Sequence, residues 1–182
     1  MITKKSGIED QQLRVNSFPN VILGDFHNNI TKIDLDNCFS IKQPKHIANM
    51  VNNRFKLDGY IILQSSTKTH TIRNEELTEV VYRYKTRGYH LVFNRRVSES
   101  EIKSILAWLC LQLKDENLTK WFLMQCIKQT FTLRIGFKGK KIRPPKIVYH
   151  YGKQDKMIAK FLDNRQFILN LNGVKNVKTE KT

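Results

Sequence analysis

The sequence predicts an α+β domain, with an antiparallel or mixed sheet and helices packed mainly on one face. Three observations lead there. Runs such as 33–36 and 132–138 alternate apolar and polar residues with the two-residue period of a strand. Segments 44–55 and 98–113 instead place apolar residues at helical spacing. In chain order the elements run roughly β-α-β-β-β-α-α-β-β, without repeats or low-complexity tracts, which is an α+β order.

Each element has its own signal. Residues 1–18 read as a polar arm, and Val21–Phe26 as a short apolar run. Ile30–Leu35 is a strand. Pro44 suits the first turn of a helix over 44–55, whose stripe is Ile47, Met50, Val51 and Phe55. Asp58-Gly59 is a turn, Tyr60–Gln64 a buried strand, and 65–79 a polar loop or hairpin tip. Val80–Tyr84 and Tyr89–Phe93 are strands joined by a basic turn at Lys85–Gly88. Ser98 with Glu101 forms a capping box for a helix to about Leu113. Asn117 or Thr119 caps a second helix through Lys128. Thr130–Phe137 and Lys146–Tyr151 are strands around a basic loop, 138–145. A helix over 155–162 and a short strand over 166–171 close the domain.

A chain of 182 residues suits one domain, here 19–172, between the arm of 1–18 and a basic tail of 173–182. No apolar run approaches the roughly 20 residues of a membrane span, and the polar start lacks a secretory apolar core, so a cytoplasmic location is expected. Cys38, Cys110 and Cys126 are too scattered for a metal knuckle or a paired disulfide set, which fits a reducing interior. The formal charge of +16 predicts a polyanionic partner, nucleic acid before a membrane surface. Lys138, Lys140, Lys141, Arg143 and Lys146 gather in one segment without an acid among them, and make a candidate nucleic-acid contact.

Three constellations carry chemistry. In Ile33-Asp34-Leu35-Asp36, strand alternation turns both carboxylates to one face. Two adjacent carboxylates repel unless a hard divalent cation neutralises them, although a solvated strand edge would also accept the pair. In Lys85-Thr86-Arg87-Gly88-Tyr89-His90, a basic turn with a permissive glycine leads into a strand, and its cations suit a triphosphate. An ordinary hairpin turn with a surface histidine is the simpler alternative. In Thr132–Lys138, Arg134 and Lys138 share a face beside Gly136 and suit phosphate. His70 rivals His90, whereas His27, His46 and His150 have no ligand spacing. Metalloprotease, P-loop and serine-hydrolase signatures are all missing, so ATPase or helicase activity is not expected of this chain.

In this order the three constellations resemble the catalytic core of the archaeo-eukaryotic primase superfamily, in a divergent archaeal viral or plasmid form. The resemblance spans about 30–151 and rests on Ile33-Asp34-Leu35-Asp36, Thr86-Arg87-Gly88-Tyr89-His90 and Leu133-Arg134-Ile135-Gly136. It implies an RRM-like catalytic sheet and two-metal nucleotidyl transfer from nucleoside triphosphates on single-stranded or primed DNA. Asp34 and Asp36 would hold Mg²⁺ or Mn²⁺. Thr86, Arg87, His90, Arg134 and Lys138 would bind the nucleotide. The family usually supplies one more strand aspartate, and the only aspartate between His90 and Arg134 is Asp115, at a helix end. The family's zinc-binding stem has no counterpart among the scattered cysteines.

Other readings use the same residues. The chain could be a non-catalytic accessory subunit of a replication complex, with another replication subunit as partner. As a binding module it would stack bases on Tyr82, Tyr84, Tyr89 and Phe93. A rolling-circle replication nuclease fits less well, since no His-x-His pair exists and Tyr149 and Tyr151 sit on an expected strand.

Overall fold

A computed structural model describes residues 2–5, 12–18, 21–26, 30–73, 80–129, 131–138 and 144–171. Among these residues two antiparallel four-stranded sheets form. One has the order β1 (Ile2–Lys5), β2 (Gln12–Phe18), β3 (Val21–Phe26) and β7 (Thr132–Lys138). The other has the order β4 (Ile30–Cys38), β6 (Val80–Arg96), β5 (Gly59–Arg73) and β8 (Lys146–Gly152). Four helices join them: α1 (Lys42–Phe55), α2 (Glu99–Leu113), α3 (Glu116–Lys128) and α4 (Met157–Leu171). The α+β class stands. Among the described residues no helix is long and apolar enough to cross a membrane.

The β4-β6-β5-β8 sheet is covered on both faces, which explains the near-continuous apolar runs in its central strands. On one face Ile33, Leu35, Tyr60, Ile62, Tyr89, Leu91 and Phe93 pack against Ala48 and Val51 of α1, Ile102, Ile105, Leu106 and Leu109 of α2, and Leu118 of α3. On the other, Ile30, Ile61, Leu63 and Val92 meet Leu133 and Ile135 of β7 and Ile158, Phe161, Ile168 and Leu169 of α4. Each Val, Leu, Ile or Phe side chain among them contributes about 1.5–3 kcal/mol on burial. Three helices therefore share a face, and α4 lies on the opposite one.

Several local expectations are revised. The Lys85–Gly88 turn does not exist: β6 runs unbroken from Val80 to Arg96 and pairs with a β5 that continues to Arg73, giving one long hairpin. Alternating Thr67, Thr69 and Thr71 read as a loop by polarity, yet β-branched residues suit a pleated ribbon. The arm holds β1 and β2. The 166–171 strand is instead the end of α4, since Ile158, Phe161, Arg165 and Ile168 are buried at helical spacing. The α2 capping box forms as expected, with Glu101 N donating to Ser98 Oγ at 3.2 Å and Ser98 N to Glu101 Oε2 at 2.8 Å. The cap of α3 is neither Asn117 nor Thr119 but Asp115, whose Oδ1 accepts from Leu118 N at 2.8 Å.

Asn94, buried at the end of β6, ties α4 to the sheet. Its Oδ1 accepts from Lys156 N and Ile158 N at 3.1 Å each, and its Nδ2 donates to Asp155 Oδ1 at 3.1 Å. A side chain on β6 thus caps the start of a helix more than sixty residues downstream in sequence.

Candidate functional site

The acidic strand and the histidine strand are neighbours. Asp34 of β4 pairs directly with His90 of β6, and Asp34 Oδ1 lies 3.5 Å from His90 Nε2. Antiparallel partners share a face, so both side chains point away from α1–α3. His90 is buried rather than at an open sheet end, with its side chain 4% exposed against 30% for Asp34. The β7 sheet brings Arg134 over this face. Its guanidinium donates through Nη2 to the Ser65 carbonyl. Burial pulls the Arg134 pKa down, and the nearby Asp34 carboxylate pulls it back up. Asp34 therefore faces an imidazole directly and feels the charge of a guanidinium.

Asp36 belongs to a different microenvironment, created by two β-bulges at the same level of the sheet. On β4 the register runs from Leu35↔Tyr89 to Cys38↔Arg87, so Asp36 and Asn37 together oppose Gly88. Asn37 takes a left-handed backbone, φ 59°, and the extra residue returns Cys38 to the core face with Leu35. On β5 the register runs from Gln64↔Tyr89 to Ser66↔Gly88, which leaves Ser65 as the extra residue. Gly88 is thus opposed by two residues on each side. A Cβ there would lie 2.6 Å from Ser66 Oγ, 2.7 Å from Ser65 Oγ and 3.0 Å from Asp36 Oδ1. Only glycine lets these three oxygens approach so closely. Ser66 Oγ is buried without a hydrogen-bond partner among the described residues, and Lys68 Nζ lies 3.9 Å from Asp36 Oδ1.

Oxygen donors of this kind suit a hard cation such as Mg²⁺ or Mn²⁺, and an orphaned hydroxyl beside a carboxylate fits one. Among the described residues no three His, Cys, Asp or Glu side chains gather into a metal cage. Protein ligands alone would leave such an ion with much of its shell to water or phosphate oxygens, as Mg²⁺ commonly prefers.

The other expected residues disperse. Thr86 lies on the His90 face, but its Oγ1 contacts His70 Nε2 at 2.8 Å. Arg87, one residue on, projects to the opposite face because the strand is continuous, and its Nη1 donates to the Phe39 carbonyl at 3.2 Å. Asp115 stays at the start of α3, close enough to Cys38 and Cys110 to help push both thiols up. Lys146 begins β8 at the far edge of the sheet, opposite Gln64. The backbone of Lys138 ends β7, opposite Val21. Lys140, Lys141, Arg143 and the 173–182 tail lie outside the described residues, as does the side chain of Tyr82. Tyr89 and Phe93 are buried beneath the helices and offer no face for stacking.

Two features escaped the sequence reading. Lys32, two residues before Asp34, is buried at 1% exposure. An interior lysine needs nearby compensation, and the only sequence sign was a cation at the core end of an apolar strand. The serines of the β5 bulge were hidden in a polar stretch with no motif. No protein-family model matches the chain, and neither a curated protein nor a solved structure matches it.

Proposed function

We propose that this chain is a primase-like nucleotidyltransferase domain, joining nucleoside triphosphates on a single-stranded or primed DNA template. The observation that carries the reading is the Asp34–His90 cross-strand pair, with Asp36 beside it at the Gly88 oxygen cluster. The β4-α1-β5-β6 half, with sheet order β4-β6-β5, interleaves its strands as an RRM-like sheet does. It differs in its last strand: β8 joins at the β5 edge rather than beside β4.

In this reading Asp34 and Asp36, with the bulge serines, hold Mg²⁺ or Mn²⁺, which would neutralise the developing charge on the phosphates. His90 and Arg134 bind and orient the triphosphate through charge-assisted bonds, and Arg134 also balances Asp34 while the site is empty of substrate. Lys68 guides phosphate toward Asp36 and screens its charge.

A second reading has one observation in its favour. Among the described residues Asp115 caps a helix and no third carboxylate joins Asp34 and Asp36. A non-catalytic accessory subunit would bind DNA on the same surface without incorporation, alongside another replication subunit. Purified chain incubated with labelled nucleoside triphosphates, primed and unprimed single-stranded DNA, and Mg²⁺ or Mn²⁺ separates the two. Template-dependent product that disappears in Asp36→Ala supports the transferase. No product under any of these conditions, with DNA binding retained, establishes the accessory role instead.

A further inference from the structure

The face that holds Asp34 and His90 does not stop at Gly88. Beyond it, β5 and β6 continue as a two-stranded ribbon, and alternate residues keep the same face: Thr86 opposite Lys68, then Tyr84 opposite His70. The His70 and Tyr84 rings are stacked, with centroids 4.7 Å apart and planes 6° apart. The Thr86 hydroxyl holds His70 at 2.8 Å, which fixes the ring that Tyr84 lies against.

Phe39 extends this stack. Its ring lies 5.9 Å from Tyr84 and is 63% exposed. An exposed phenylalanine is unremarkable on a mobile loop, but this one is clamped. Its N–H donates to Gln43 Oε1 at 2.8 Å, and its carbonyl accepts from Arg87 Nη1 at 3.2 Å. The ring is therefore held out toward solvent by a braced backbone, and little freedom is left to lose on binding. The ribbon carries cations: Lys68 on the His70–Tyr84 face, and exposed Arg83 and Lys85 on the other side.

We propose that Phe39 and the Tyr84–His70 pair form a stacking platform for unpaired bases of a single-stranded nucleic acid. Lys68 takes the backbone phosphate, and the strand leads from the platform to Asp36. Gly88 lies four residue steps along the strand from Tyr84, about 13 Å, so about two or three nucleotides bridge the two positions. Aromatic faces flanked by cations match a nucleobase strand. The exposed aliphatic residues that would suit a protein partner, Leu111, Leu123, Met124 and Ile127, lie elsewhere, on α2 and α3. The proposal rests on the nucleic-acid half of the functional reading and not on catalysis.

The test compares two fluorescein-labelled strands of equal length in the same buffer, oligo(dT) and an abasic sugar–phosphate strand, each titrated with the full chain. Wild type binds oligo(dT) more tightly. Phe39→Ala and Tyr84→Ala each lower oligo(dT) affinity by roughly 5- to 100-fold and leave the abasic strand unaffected. Phe39→Trp keeps the preference, and its fluorescence is quenched by oligo(dT) but not by the abasic strand, which controls for folding. Equal affinity of wild type for the two strands overturns the platform. So does a Phe39→Ala variant that keeps the wild-type preference. Failure of wild type to bind either strand removes the nucleic-acid reading itself, a result distinct from loss of the preference alone. Absence of nucleotide incorporation touches neither outcome.

Discussion

Asp34 and His90 are register partners across β4 and β6, with Oδ1 of one 3.5 Å from Nε2 of the other. That distance is long for a hydrogen bond, and a ligand that draws the two together would shorten it. The pair also fixes the difference between the two acids. Asp34 balances buried Arg134, whereas Asp36 looks toward solvent and Lys68.

That difference separates two variants of similar chemistry. Asp34→Ala removes a carboxylate whose charge supports the buried Arg134, and should destabilise the fold by about 2 kcal/mol. Asp36→Ala should leave the melting temperature within about 1 °C, because an exposed pair contributes little. Both should abolish incorporation. Calorimetry and the incorporation assay together check this, and equal melting temperatures for the two variants would contradict the placement of Arg134.

Ser66→Ala removes a buried hydroxyl that has no partner among the described residues, so it should leave stability unchanged or raise it by about 1 kcal/mol. The same substitution should weaken metal-dependent nucleotide binding. Gly88→Ala should destabilise by about 1–2 kcal/mol through overpacking against the serine oxygens and Asp36. Adding Ser66→Ala to Gly88→Ala should recover only part of the melting temperature, since Ser65 Oγ and Asp36 Oδ1 still crowd the new methyl, and should not recover nucleotide binding. Thermal melts and nucleotide titration read the two effects apart.

Asn94→Ala removes the cap from α4 and leaves two backbone N–H groups without their acceptor. A loss of about 2–3 kcal/mol is expected, roughly 5–10 °C in melting temperature for a chain of this size. A shift below about 2 °C would mean that α4 is held by its apolar face alone.

The Cys38 thiol is pushed up to about 11, first by burial and then by Asp115, Asp36 and Asp34. The unfolded thiol ionises near 9.0, so the unfolded chain loses its proton first as the pH rises. Stability from this group is present below pH 9 and lost as the pH approaches 11. Between pH 8 and pH 10.5 wild type should lose more melting temperature than Cys38→Ala, measured in matched buffers. Parallel losses would show that the thiol is not protected.

Charge reversal of Lys140, Lys141 and Arg143 to glutamate should weaken DNA binding for every sequence alike and flatten its salt dependence. Anisotropy at low and moderate salt measures both. Unchanged slopes would place the phosphate contacts elsewhere.

Periodicity made the acidic strand, α1, α2 and the start of β5 legible, because each buries one regular face. Tyr89–Phe93 was legible as strand for the same reason. The basic Lys85–Gly88 segment misled, since glycine between cations suggests a turn. Here Gly88 is a strand residue required by oxygens that reach it from two other strands, a long-range cause that local pattern does not carry. Arg87 was grouped with His90 on the assumption of that turn, and strand continuity separates them. Phe39 left no signal at all: its role depends on Gln43 and Arg87 bracing the backbone around it.

The paired bulges around Gly88 also bear on how related chains would be read. The ladder does not need Asn37 or Ser65, since Leu35↔Tyr89 and Cys38↔Arg87, or Gln64↔Tyr89 and Ser66↔Gly88, would close regularly with one residue fewer. A relative shortened by one residue at either place would keep the sheet and every face assignment beyond it, and would lose the doubled approach to Gly88, with one of the three oxygens gone where Ser65 is missing. Chain length at these two positions, more than residue identity, would then mark which descendants of this fold retain the site.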